Sequence, residues 1–156
     1  GSGFLAQVAY KSLELLDLEF ETIDIVGNYN KELWKGKLKD TYTGAYDVVI
    51  DLSNRTNILD DIEFNSEALV ILGVQKKLTS DFGNLLWKAC TIVFPSPRAD
   101  SFITAMQLAE RWITENKLTV DNFWTKSYNR TTHWRQAFED GINRPINYSR
   151  GYIQWD

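Results

Sequence analysis

One cysteine, one histidine and one methionine in 156 residues leave little for redox or metal chemistry. Cys90 has no partner for a disulfide within the chain, and Cys90 with His133 falls short of a zinc ligand set, so no metal is expected. Cys90 lies in KACTIVF, an apolar strand-like run, and reads as a buried inert thiol. His133, in RTTHWRQAF, lies near a helix start. No apolar run approaches the ~20 residues of a membrane span. A concentrated basic face is missing too: 17 Lys and Arg are scattered among 21 Asp and Glu, for a net charge of −4. That composition argues against a nucleic-acid or anionic-membrane partner. No charged-then-apolar signal segment precedes the fold, so a cytoplasmic location is expected. The matches to the glycosylation acceptor pattern at Asn54, Asn129 and Asn147 read as chance in an Asn-rich chain.

What is present alternates between helix and strand. From Phe4, Leu5, Val8, Ala9, Leu13 and Leu16 recur at helical spacing, which predicts a helix to about Asp17. LEFETIDIV alternates as a strand and stops at Gly27-Asn28-Tyr29-Asn30, and KELWKGKLKD reads as a short polar helix. YDVVIDL, EALVILGV and CTIVFP are three further strands, the middle one apolar enough to be covered on both faces. Residues 54–66 read as a short helix and turn, and FGNLLWKA as a turn of helix. A long helix capped by Asp100 or Ser101 carries Phe102, Met106, Ala109 and Ile113 on one stripe. LTVDNFWTKSY reads as extended or irregular. A last helix runs near Thr131 to Asp140, stopped by Gly141, and GYIQW closes the chain as a strand. The pattern predicts an α/β fold: a Rossmann-like, mainly parallel sheet with helices on both faces. A chain that begins on a helix lacks that sheet's first strand.

The opening GSGFLA fits G-x-G-x-x-G/A. In that pattern Gly1 permits the tight turn into the helix and Gly3 lets a pyrophosphate approach the backbone. Ala6, being small, lets the helix pack close. The phosphates then rest on N–H groups at the helix N-terminus, aided by its dipole. GSG is equally the scar of an expression vector, in which case the natural sequence begins at Phe4. Asp24 ends the next strand 18 residues past Ala6. That is close to the roughly 20-residue spacing at which an acid accepts hydrogen bonds from the adenosine ribose. The competing reading of Asp24 is an exposed strand-end carboxylate beside Glu19 and Glu21.

The C-terminal third has an amphipathic helix, then Asn116-Lys117-Leu118-Thr119-Val120, Gln136-Ala137-Phe138-Glu139-Asp140 and a closing Ser149-Arg150-Gly151-Tyr152-Ile153. In this succession, and in its YDVVIDL and EALVILGV strands, the chain resembles the cofactor-binding half of the medium-chain dehydrogenases/reductases, the zinc-type alcohol dehydrogenase superfamily. The resemblance divides the chain into a Rossmann-like dinucleotide-binding domain, 1–115, and a segment, 116–156, similar to the tail of the catalytic lobe. It implies NAD as cofactor, with NADP left open, and a small alcohol or carbonyl substrate. Gly1, Gly3 and Ala6 would form the pyrophosphate loop, and Asp24 would bind the ribose. Val74 would line the nicotinamide pocket, and Arg150 would face the pyrophosphate as a bidentate guanidinium. Asp24 favours NAD over NADP, a preference that Lys31 and Lys35 temper. An N-terminal catalytic lobe, bearing the catalytic groups and any zinc ligands, is missing from this sequence, and a homo-oligomer fits the family.

Two other classes remain open. A non-catalytic Rossmann-like ligand-binding or docking module would use some of Trp34, Trp87, Trp124, Trp134 and Trp155 as surface anchors. A methyltransferase-like domain would use the same glycine loop and strand-end acid for adenosylmethionine.

Overall fold

The computed structural model describes residues 2–24, 34, 36–119 and 123–155. Gly1, the turn at 27–30, Lys31 and Lys35 lie outside these residues. The chain is mixed α/β, and among the described residues the strands form three small parallel sheets in place of one large one. Two compact units emerge: Thr41–Ala105, and Ser2–Asp40 together with Met106–Asp156. They are drawn by contact, whereas the 1–115 and 116–156 segments divide the chain by likeness to the family's lobes.

In the unit 41–105, β3 (Tyr46–Asp51), β4 (Phe64–Leu72) and β5 (Thr91–Val93) pair in parallel in that order. The short helix α2 (Ile58–Asp61) joins β3 to β4, and α3 (Phe82–Lys88) joins β4 to β5. Asp81 caps α3, its carboxylate accepting the N–H groups of Gly83 and Asn84 at 3.0 and 3.4 Å. Alternate residues Ala68, Val70 and Leu72 of β4 are buried with Ile58, Leu59 and Leu85, while Leu69 and Ile71 are half-buried. β4 begins at Phe64, three residues ahead of the apolar run. Between the pairs Tyr46–Phe64 and Val48–Leu69 the register jumps, so the polar Asn65-Ser66-Glu67 bulges outward, with Glu67 in the left-handed region at φ 65°. Cys90 packs half-buried against this core.

The other unit opens on α1 (Phe4–Leu15). β1 (Thr22–Ile23) pairs in parallel with β2 (Leu38–Lys39). The expected helix over KELWKGKLKD is thus corrected at its end: Leu38 and Lys39 are ladder residues, held there by β1. The helix α4 spans Ser101–Thr114, as its stripe predicts. The irregular stretch expected before residue 129 contains a strand, β6 (Lys126–Asn129), parallel to β7 (Gly151–Gln154).

Between them α5 (Trp134–Asn143) starts three residues later than expected and runs through Gly141. Its stop is Arg144, in the left-handed region at φ 45°, followed by Pro145. Gly151 is a close-approach glycine: a Cβ built there collides with Cε2 of the buried Tyr128 ring and stands 3.0 Å from Tyr148 Oη. Gly151→Ala therefore costs about 1–3 kcal/mol. Urea denaturation checks this, and an unchanged midpoint would contradict the packing described. No helix among the described residues is long and apolar enough to cross a membrane.

Candidate functional site

The first turn of α1 gathers residues from distant parts of the sequence, all within the unit 2–40 and 106–156. Gly3 is the N-cap, at φ −70° and ψ −176°, and no side chain caps the helix. That extended backbone is open to any residue, so the conformation does not call for glycine. A Cβ on Gly3 would meet nothing within 4 Å. The first N–H groups of a helix have no intrahelical acceptor, which suits a helix end to an anion. The first intrahelical bond runs from Gln7 N–H to Gly3 C=O, 3.0 Å. Ala6, one residue earlier, is buried.

Ser2 is only 8% exposed. Its hydroxyl donates to the Asp24 carboxylate, and its carbonyl accepts the indole N–H of Trp34 at 3.2 Å. Trp34, 3% exposed, is core rather than the surface anchor considered for it. Its ring meets Tyr10 edge-on at 5.4 Å, and Tyr10 meets Phe20 at 5.0 Å. Burial and the Glu14 carboxylate push the Tyr10 hydroxyl above its ordinary pKa, so it stays uncharged. Asp24 follows β1 directly, and its N–H donates to Lys39 C=O at 3.0 Å, extending the β1–β2 ladder.

From the far end of the sequence, the Arg150 guanidinium lies over the Phe4 ring, 4.8 Å from its centroid. Thr125 donates to Arg150 C=O through its N–H at 2.8 Å, and its Oγ1 accepts the Ser149 N–H at 2.9 Å. Gln7 closes the connection: its Nε2 donates to Ser149 Oγ at 2.9 Å. Gln7 is 4% exposed, and its Oε1 has no partner among the described residues.

Gly3, Ala6, Asp24 and Arg150 are thus brought around one helix end, two directly and two through Ser2 and Phe4. Gly1 lies outside the described residues. Val74 follows Gly73 at the carboxyl end of β4, in the unit 41–105. Ser2, Gln7, Trp34 and Ser149 were not legible as site residues. Nothing in the sequence marked Gln7: it lies across the helix from Leu5 and Ala9, and Leu5 is exposed where Gln7 is buried. Among the described residues, no group of three or more His, Cys, Asp or Glu is placed to hold a metal ion.

No protein-family model matches the chain, and no curated protein matches it.

Proposed function

We propose that this chain is the cofactor-binding portion of an NAD(P)-dependent oxidoreductase acting on an alcohol or carbonyl substrate. The observation that carries this reading is the convergence on the α1 N-terminus of a glycine N-cap, a strand-end carboxylate and an arginine. Anion, ribose and second-phosphate recognition each have a residue of suitable chemistry there.

The sheets are consistent with this reading only in their sense: the pair β1-β2 and the run β3-β4-β5 are each parallel, as the strands of a Rossmann-like sheet are.

Bound nicotinamide would supply or accept the hydride exchanged with the substrate carbon. The residues of this chain bind and orient. The α1 N-terminus holds the pyrophosphate, Arg150 adds a fixed positive charge, and Asp24 accepts from the adenosine ribose.

A carboxylate at the ribose repels a 2′-phosphate, so NADH binds more tightly than NADPH, by roughly tenfold, and Asp24→Ala removes most of the difference. Calorimetric titration of both dinucleotides into the chain tests this. NADPH binding at least as tightly as NADH refutes the assignment of Asp24, and displacement of NADH by adenosylmethionine favours the methyltransferase-like reading. The docking-module reading draws on Trp87 and Trp155, which are 87% and 71% exposed. It gains if the dinucleotide binds without redox turnover in the intact protein.

A further inference from the structure

We infer that the carboxyl end of the β3–β4 strand pair, in the unit 41–105, binds a monovalent metal cation between Asp51 Oδ2 and Gln75 Oε1. The site is independent of the cofactor reading.

Asp51 is the last residue of β3 and pairs with Leu72, the last of β4. Ligands of open parallel sheets bind beyond the carboxyl ends of the strands, where the connecting loops gather. Hydrogen bonds stitch the two loops of this end together. Gly73 N–H donates to Asp51 C=O at 2.9 Å, Lys76 N–H to Asn54 Oδ1 at 3.0 Å, and Thr79 N–H to Thr56 C=O at 2.6 Å. Asp51 is 5% exposed. Its Oδ1 accepts the Ser53 N–H and hydroxyl at 3.0 and 2.6 Å, while its buried Oδ2 has no partner among the described residues. Gln75 repeats the arrangement. Its Nε2 donates to Arg55 C=O at 3.0 Å and to Lys77 C=O, so the amide cannot be turned over. The buried Oε1 is thereby left without a donor among the described residues.

Two buried oxygens that only accept cannot satisfy each other. One of them belongs to a carboxylate, and a buried charge needs a countercharge or a full set of hydrogen bonds. Arg55, the cation nearest to Asp51 along the chain, is taken by Asp61. What the two oxygens call for is a positive charge small enough to sit beneath the loops that cover them. A divalent ion asks for more: calcium takes about six to eight oxygens, several of them from carboxylates. One carboxylate matches a single positive charge, and neutral carbonyl oxygens are ligands that a monovalent ion readily accepts.

The test follows thermal unfolding of the chain in potassium, sodium or tetramethylammonium chloride at equal ionic strength, so that screening is common to all three. Potassium or sodium is expected to raise Tm by about 3–5 °C over the bulky cation. Asp51→Asn keeps the acceptor for Ser53, places an amide nitrogen where Oδ2 stood, and loses the rise. Gln75→Ala, at a half-buried loop position, removes the second oxygen and loses most of it. Should Asp51→Asn fail to fold, Gln75→Ala decides alone. Equal Tm values in the three salts overturn the proposal, an enclosed water then being enough for both oxygens. A rise that the folded variants retain overturns it too, because the ion then binds elsewhere. Magnesium or calcium chloride is the last arm. If either raises the wild-type Tm beyond potassium and sodium, and the excess disappears in the same variants, the ion is divalent and the monovalent assignment falls.

Discussion

Replacing Phe64 by alanine lowers the unfolding free energy by about 3–5 kcal/mol, the range for deleting a buried phenylalanine and leaving a cavity. Phe64 is the first residue of β4 and is buried with Ile58 and Leu59 of α2 and Leu85 of α3. The buried cluster of this unit has only seven members, so its neighbours have little material with which to refill the space. The Lys88 ammonium adds to the site from above, 4.6 Å from the Phe64 ring centroid, and its bond to Phe64 C=O at 3.0 Å survives the substitution. What is lost is therefore ring packing and the cation–π contact rather than the backbone anchor.

Phe64→Leu keeps most of the volume and costs less than about 1.5 kcal/mol. Against a typical domain stability of roughly 5–15 kcal/mol, the alanine variant removes a large share. Urea unfolding followed by far-ultraviolet circular dichroism measures both variants. Equal midpoints for Phe64→Ala and Phe64→Leu would mean that the ring does not hold β4 to the two helices.

Phe64 also shows where sequence reading succeeds and where it stops. The elements legible in advance are mostly those whose apolar spacing is long enough to impose a period, α1, β3, the apolar part of β4, α4 and β7, together with β5 in its apolar run and α3 in FGNLLWKA. The start of β4 was hidden because Asn65, Ser66 and Glu67 are polar and sit in a bulge, where the pairing skips ahead and their side chains need no apolar partner. β2 was hidden because two residues, Leu38 and Lys39, carry no period of their own and become a strand only by pairing with β1. β6 reads KSYN, with Tyr128 its one buried member. Its strand character comes from β7, more than twenty residues later. The end of α5 was misplaced because Gly141 is tolerated inside a helix, at a cost of about 1 kcal/mol, while Pro145 two residues past Asn143 gives the firmer stop.

The candidate site divides along the same line. Gly3, Ala6 and Asp24 were legible because a loop, a helix and a strand-end acid follow each other at a fixed local spacing. Arg150 entered only through resemblance, since no local pattern links residue 150 to residue 4. The contacts that tie the site together, Ser2 with Trp34 and Gln7 with Ser149, join positions far apart in the sequence, and single residues of such types carry no periodic signal.

Removing Asp140 has the other large effect, and it reaches from stability to the site. One carboxylate, itself buried, accepts from three donors: Lys126 Nζ at 2.6 Å, Tyr128 Oη at 2.6 Å and Gln136 Nε2 at 2.7 Å. It thereby ties α5 to β6. The Lys126 bond, with those from Tyr128 and Gln136, holds the Asp140 pKa down to about 2. Burial, reinforced by the Asp140 charge, drives the Tyr128 hydroxyl far above its ordinary value.

An unfolded aspartate titrates near 3.9, so the stabilisation from Asp140 is complete above about pH 4 and is lost as the pH falls through about 2. Asp140→Asn removes that acid limb from a plot of stability against pH. For Tyr128 the sign is opposite. Its contribution is complete below the unfolded value near 10 and fades as the pH rises beyond it, a limb that Tyr128→Phe abolishes. At neutral pH Tyr128→Phe costs about 1.5–3 kcal/mol, one hydrogen bond to a charged group. Asp140→Ala costs more, because Tyr128, Lys126 and Gln136 all lose their charged acceptor, although the half-exposed Lys126 can turn to water.

β6 pairs with β7 from Gly151 onward, and Gly151 sits against the Tyr128 ring directly after Arg150. Loss of Asp140 therefore loosens the mount of Arg150 as well, and NADH binding weakens together with stability. Acid titration and dinucleotide affinity measured on the same Asp140→Ala protein check the two effects jointly. Full stability with full affinity would show that the strand pair holds Arg150 without the carboxylate.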